Sequence, residues 1–497
     1  MPPRTPSEIV EELPSVIQGG MGVGVSSWQL ARQVAQNGGL GVVSGVAPDL
    51  LLARWLQDGD PTGQLFPVLA RYPDQDFVQA TIGRYYRSQG RAPGAPYRPI
   101  PRLDQHQRVD ALRLAALGSF AQVRLAKSGH DRAIGINLLE KIQLWTPAAL
   151  LGAMLAEVDV VLVGAGVPVH LPRILDALAA CEPVTVPLDV VDAERGETFD
   201  ITLTATDVVP NLTGPLNRPA FLAIVSSHIL ASYLARDTLT CPDGLVVEGP
   251  TAGGHNAPPR RNERDERGEP IYGPRDEVDL EKLRKVGLPF WLAGGQAGPA
   301  HIDAAKAEGA QGVQVGTVFA LSQESGLTEP LRRALLGGLK SGEARVRTNP
   351  VASPTGFPFK VVELPETIAS RGVYEGRERN CDLGYLRTAF RRADGSIGQR
   401  CPAEPVDAYV RKGGSAEDTV GRLCLCNGLT ASAGLPQLRR DGSVEPSLLT
   451  LGHDLAAVHL LIERHPEGWG AADVMDWLLE SDASADTLPA ALGAAAS

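Results

Sequence analysis

The chain of 497 residues carries 58 acidic against 47 basic side chains, a net charge of −11. That balance argues against a nucleic-acid binder, since phosphate contacts need clustered Lys and Arg, and no apolar run reaches the roughly 18 residues that a membrane span requires. Hydrophobic residues at 43% describe a globular chain with a sizeable core, and 54 glycines beside 39 prolines fit many strand-to-helix turns.

In chain order, the polar N-terminus shows no apolar signal segment, which together with only six cysteines points to a reducing, cytoplasmic setting. Residues 15–18 read as a strand, followed by Gly19-Gly20-Met21-Gly22 and a helix with Ser26 or Ser27 at its N-cap. Residues 40–44 form the next strand. The stretch 57–130 is too long for an ordinary connection and reads as a partly helical insertion, with one helix around 109–125. Strands resume at 133–138 and 158–163. An antiparallel hairpin is expected at 183–206, where apolar and polar residues alternate on either side of Glu194-Arg195-Gly196. Four more strands follow at 221–225, 245–248, 290–293 and 312–316. Eight parallel strands close a (β/α)8 barrel, although the count also suits an open doubly wound sheet. Residues 320–450 hold few strand signals; amphipathic helices are expected at 455–464 and 471–479, with a disordered tail at 481–497.

Two glycine turns carry the clearest chemistry. Ala293-Gly294-Gly295-Gln296 and Gly316-Thr317 end the last two strands, where glycine admits an anion to the backbone and barrels habitually bind phosphate. The Thr317 hydroxyl would add a donor. The first turn, at Gly20-Met21-Gly22, could lay backbone against a flat ring system. Asn137 is a polar residue ending an apolar strand, placed to reach ring carbonyls. His255 follows Gly253-Gly254 at the end of the sixth strand, as a proton acceptor or donor near neutral pH. Ser227 and His228 after the fifth strand are further candidates for contacting a small-molecule substrate.

The motifs Ile17-Gln18-Gly19-Gly20-Met21-Gly22, Gly38-Gly39-Leu40-Gly41-Val42-Val43, Ala252-Gly253-Gly254-His255, Ala293-Gly294-Gly295-Gln296 and Gly312-Val313-Gln314-Val315-Gly316-Thr317 occur in one order. That order resembles the nitronate monooxygenase (2-nitropropane dioxygenase-like) flavoproteins over about residues 9–365. The resemblance implies a TIM barrel binding FMN, with the phosphate at Gly294, Gly295, Gly316 and Thr317. It also implies the ring against Gly20 and Met21, with Asn137 in contact, and cofactor contacts at Gly22, Gly254, Ala293 and Gln296. His255 would stand near the substrate, and the reaction implied is oxidation of an alkyl nitronate with O2. The extra length and the hairpin look similar to the trans-acting enoyl reductases of polyunsaturated fatty acid and polyketide synthesis, so NAD(P)H-dependent enoyl or quinone reduction is the alternative. A flavin-free phosphate-binding lyase or isomerase using Glu248, or a non-catalytic complex partner, is the expectation from other classes.

These readings divide the chain into a barrel of residues 1–365, with insertions at about 57–130 and 183–210, and an extension of 366–480. The extension holds Cys381, Cys401, Cys424 and Cys426. Four thiolates could ligate zinc or an iron–sulfur cluster, although only Cys424 and Cys426 are close in sequence.

Overall fold

The computed structural model describes residues 4–439 and 441–480; the expected disordered tail lies outside them. Eight strands build the central sheet: β1 (Val16–Gln18), β2 (Gly41–Ser44), β3 (Ile134–Leu139), β4 (Val160–Gly164), β5 (Ala220–Val225), β6 (Gly244–Glu248), β7 (Phe290–Ala293) and β8 (Gly312–Val315). Each pairs in parallel with its sequence neighbour from β2 to β8, and β1 pairs with β8 through Val16↔Val313 to Gln18↔Val315. The ring closes where Leu40 N–H donates to Val16 O at 2.9 Å and Gln18 N–H donates to Leu40 O at 3.0 Å. The sheet is therefore a TIM barrel, and all eight strands fall where the apolar runs predict them.

Closure divides the apolar residues of each strand into two sets, because successive side chains face opposite sides of the sheet. Val42, Leu162, Leu222, Val246 and Trp291 fill the barrel, and Ile9 and Val10 of the helix Pro6–Glu11 pack against them. The indole N–H of Trp291 donates to Pro14 O at 3.1 Å, which ties this N-terminal segment to the interior. Val43, Val161, Val163 and Ala223 face outward into the larger core beneath the helices. One of those helices is Val109–Ala126, the helix expected around 109–125, and most of its residues are buried.

The hairpin is present, with Val184–Pro187 antiparallel to Asp200–Leu203. Its tip does something the local pattern does not announce. Val190–Val191 pairs in parallel with Thr388–Arg391 of the extension, which in turn pairs antiparallel with Ile397–Arg400. Arg391 reaches Glu194 at 2.9 Å and Glu197 at 2.8 Å across the same contact.

Residues 320–450 contain more strand than expected: Arg345–Asn349 and Phe359–Glu363 form an antiparallel pair beside the two strands just named. These strands are short and lean on distant segments, so local periodicity carries little of their signal. The expected helices appear at Ala456–Arg464 and Ala471–Leu479. The second brings the chain back to the barrel, where Trp477 Nε1 donates to Ala297 O at 3.2 Å. No described helix is long and apolar enough to cross a membrane.

Candidate functional site

A cavity of about 470 Å³ opens at the C-terminal ends of the strands, the face on which barrel loops carry chemistry. Its walls include Gly20, Met21, Gly22, Asn137, Gly254, His255, Ala293, Gly294, Gly295, Gln296, Gly316 and Thr317, so twelve residues spread over nearly 300 positions meet in one place.

The floor starts at the turn after β1. Gln18, fully buried, donates from Nε2 to Ser26 Oγ at 2.8 Å and accepts from Val42 N–H at 3.0 Å. Ser26 Oγ donates to Gly19 O at 2.8 Å and accepts from Met21 N–H at 2.8 Å. Ser27, not Ser26, caps the following helix, accepting from Leu30 N–H at 3.0 Å. Asn137 at the end of β3 donates from Nδ2 to Gly20 O at 3.0 Å. A Cβ on Gly20 would lie 2.2 Å from Asn137 Cβ, so only glycine lets the turn and this amide meet.

The glycine cradle lines the same cavity. Gly294 and Gly295 have φ of +88° and +68°, left-handed values that favour glycine, and the turn brings their backbone into the open. Thr317 begins a short helix after Gly316, and its hydroxyl accepts from Gly452 N–H at 2.9 Å.

His255 lines the same cavity. Its loop is pinned to the strand Phe359–Glu363, since Lys360 N–H donates to Gly254 O at 2.9 Å and Asn256 N–H to Pro358 O at 2.9 Å. The ring packs edge-on against Phe359 at 4.8 Å, and Nε2 lies 2.7 Å from Ser353 Oγ. Burial pushes the imidazole down to about 4, with the positive charge of Lys141 adding to the effect. At neutral pH the ring is uncharged. Glu248, at the end of β6, also lines the cavity, and burial raises its carboxyl to about 8 against the pull of Lys360. Lys360 is itself driven down to about 8 by burial and donates to Thr348 Oγ1 at 2.6 Å.

Two groups of expected residues are placed elsewhere. Ser227 Oγ accepts from Leu230 N–H at 3.2 Å as the N-cap of the helix His228–Leu234. The end of β5 lines the cavity through Ile224, with Ser227 and His228 outside its walls. Cys381, Cys401, Cys424 and Cys426 do gather, around a space of only about 10 Å³. However, no group of three or more His, Cys, Asp or Glu side chains is placed to hold a metal among the described residues, so the structure does not support the zinc or iron–sulfur expectation. Burial raises the Cys424 thiol to about 11 and Cys426 higher still, and both pack as small apolar groups. The Cys401 thiol beside it lowers the Cys381 thiol, and Cys381 with burial raises that of Cys401.

The extension supplies wall that motif reading misses. Tyr385, Leu386, Leu425, Cys426 and Leu429 line the cavity, and Tyr385 is held there by donating to Asp49 Oδ1 at 2.6 Å. Apart from Cys426, nothing local marks these residues; they become wall because the extension folds back over the strand ends.

A flat, phosphorylated ring cofactor fits this donor set. Asn137 Oδ1 and Gln314 Oε1 are buried without a hydrogen-bond partner among the described residues, and both side chains line the cavity. Such atoms ask for a bound donor. The glycine cradle in the same wall offers backbone to an anion.

Residues 218–347 match the family model "Nitronate monooxygenase". A nitronate monooxygenase of Paraburkholderia phytofirmans is 29% identical over 202 residues, covering 39% of this chain and 48% of its own length. The chain thus spans about half the length of that curated relative. Among solved structures, FabK from Thermotoga maritima is 16% identical with a TM-score of 0.48, covering 95% of this chain and 94% of its own. Nitroalkane oxidase from Streptomyces ansochromogenes is 16% identical with a TM-score of 0.47, covering 95% and 96%. The family match contains β5 to β8, His255 and both cradle glycine turns, so the likeness to nitronate monooxygenases covers the second half of the barrel.

Proposed function

We propose that the protein is an FMN-dependent oxidoreductase that oxidises alkyl nitronates with O2. The observation that carries the cofactor is the pairing of an orphaned Asn137 amide oxygen with the glycine cradle in the wall of one cavity. When bound, FMN takes electrons from the substrate and passes them to oxygen. The protein's own part is to bind, orient and exclude water. Asn137 and Gln314 would meet the ring's polar edge, and the backbone of Gly294, Gly295 and Gly316 with the Thr317 hydroxyl would hold the phosphate. His255, uncharged at neutral pH, is a hydrogen-bond donor from one ring nitrogen and a proton acceptor at the other. The family match over residues 218–347 and the positive charge of Lys141 near His255 support an anionic substrate such as a nitronate.

A second reading, reduction of an enoyl or quinone acceptor by NAD(P)H, is favoured by two specific features. The extension's wall of Leu386, Leu425 and Leu429 suits an elongated apolar substrate, and Glu248, protonated at neutral pH, is a proton donor that reduction of an enoyl needs. The purified protein should be yellow and release FMN on denaturation; a colourless protein that cannot be loaded with FMN returns the barrel to flavin-free lyase, isomerase or partner roles. Anaerobic mixing then separates the two chemistries. Bleaching by propyl nitronate supports oxidation, and bleaching by NADH alone supports the reductase.

A further inference from the structure

The cradle end of the cavity is closed by residues 450–454 of the extension. Gly254 N–H donates to Thr450 Oγ1 at 2.9 Å, Gly452 N–H to Thr317 Oγ1 at 2.9 Å, and His453 N–H to Thr251 O at 2.8 Å. The fit is close. A Cβ on Gly452 would lie 3.0 Å from both Thr251 O and Thr317 Oγ1, and one on Gly253 would lie 2.9 Å from the Leu451 backbone. This segment therefore touches the His255 loop and the cradle at once.

Asp454 ends the segment. One carboxylate oxygen, Oδ1, accepts from Ala456 N–H at 3.0 Å at the start of the helix Ala456–Arg464. The other, Oδ2, lies 3.2 Å from the position that a Cβ on Gly295 would take. A carboxylate thus faces the second cradle glycine, where an anion is to bind, and Asp454 lines the same cavity.

We infer that residues 450–454 are the closing wall of the cofactor's phosphate site, and that the Asp454 carboxylate opposes the phosphate and sets how tightly the flavin is retained. This rests on the FMN reading above. Like charges a few ångströms apart repel even at the dielectric of water, and Asp454 is exposed, so screening holds the effect to several-fold. The extension then acts on the cofactor in two opposed ways: it encloses the phosphate and weakens its hold.

Asp454→Asn tests this cleanly, because asparagine also accepts at a helix start and keeps the local fold. Apoprotein of the full chain is titrated with FMN and with riboflavin, which lacks the phosphate, by flavin fluorescence. The variant is expected to bind FMN about fivefold more tightly than the wild type at low salt, with the gain shrinking at high salt and riboflavin unchanged. Asp454→Lys should tighten FMN further. Unchanged or weaker FMN binding in Asp454→Asn overturns the inference, as does an equal shift for riboflavin, which would put the carboxylate on the sugar alcohol. If the wild type binds neither flavin, the FMN reading itself falls; if it binds FMN and the variant is indifferent, only this inference does.

Discussion

The imidazole of His255 is held uncharged by burial, and that condition makes its role testable. With the ring driven down to about 4, the proton-accepting form is present throughout the neutral range and is lost only as pH falls through about 4. The acid limb of kcat/KM should therefore lie near 4 and not near the free-histidine value of about 6.5, as a pH–rate profile would read. His255→Ala should lower turnover by about 100-fold or more while the visible spectrum still reports bound FMN, because the ring contacts Phe359 and Ser353 and not the cradle. Unchanged turnover would remove His255 from the chemistry. Gly20→Ala is expected to do the reverse. Its Cβ collides with Asn137, so the turn or the amide must move, which costs about 1–3 kcal/mol and removes the flavin. At this scale the site was legible where chemistry and position coincide: Gly20, Asn137, His255 and the cradle glycines are unusual residues at strand ends. Ser353 was not, since a serine in a Ser-Pro-Thr turn looks like any turn.

The first glycine turn shows how an element depends on a side chain from the next one. Ser26 Oγ bridges Gly19 O and Met21 N–H and receives the Gln18 amide, all with little access to water. Removing the hydroxyl leaves Met21 N–H unpaired, while Gly19 O keeps the Gln18 amide, so Ser26→Ala should destabilise the turn by about 1–3 kcal/mol and weaken FMN binding, which thermal denaturation with and without added FMN would measure. Strands and long helices were readable because hydrophobic periodicity repeats within each of them. The strands at 388–391 and 397–400 escaped that reading. They are four residues each, and the first pairs with Val190–Val191, about 200 positions away.

Over the whole molecule, the extension is bound to the barrel and not appended to it. Within it, Glu445 is buried between Arg377, at 2.7 Å, and Arg439, an arrangement that is stable only with all three charges present. Glu445→Gln would leave two buried guanidiniums underpaired, at a cost of about 3–5 kcal/mol, and should lower Tm by several degrees. Because Tyr385, Leu386 and Leu425 line the cavity, the same variant should also loosen FMN, whereas a free-standing extension would leave flavin binding untouched. The order of strands, the two glycine turns and the histidine loop follow from the chain alone, since each depends on neighbours within a few residues. What only the tertiary structure decided is which distant segments meet. It buried Cys401 and Cys424 beside Cys381 and Cys426, moved Ser227 and His228 off the cavity wall, and brought Tyr385, Leu425 and Asp454 to the cavity. Such meetings depend on complementary shape and burial between segments hundreds of residues apart, and no local pattern encodes them.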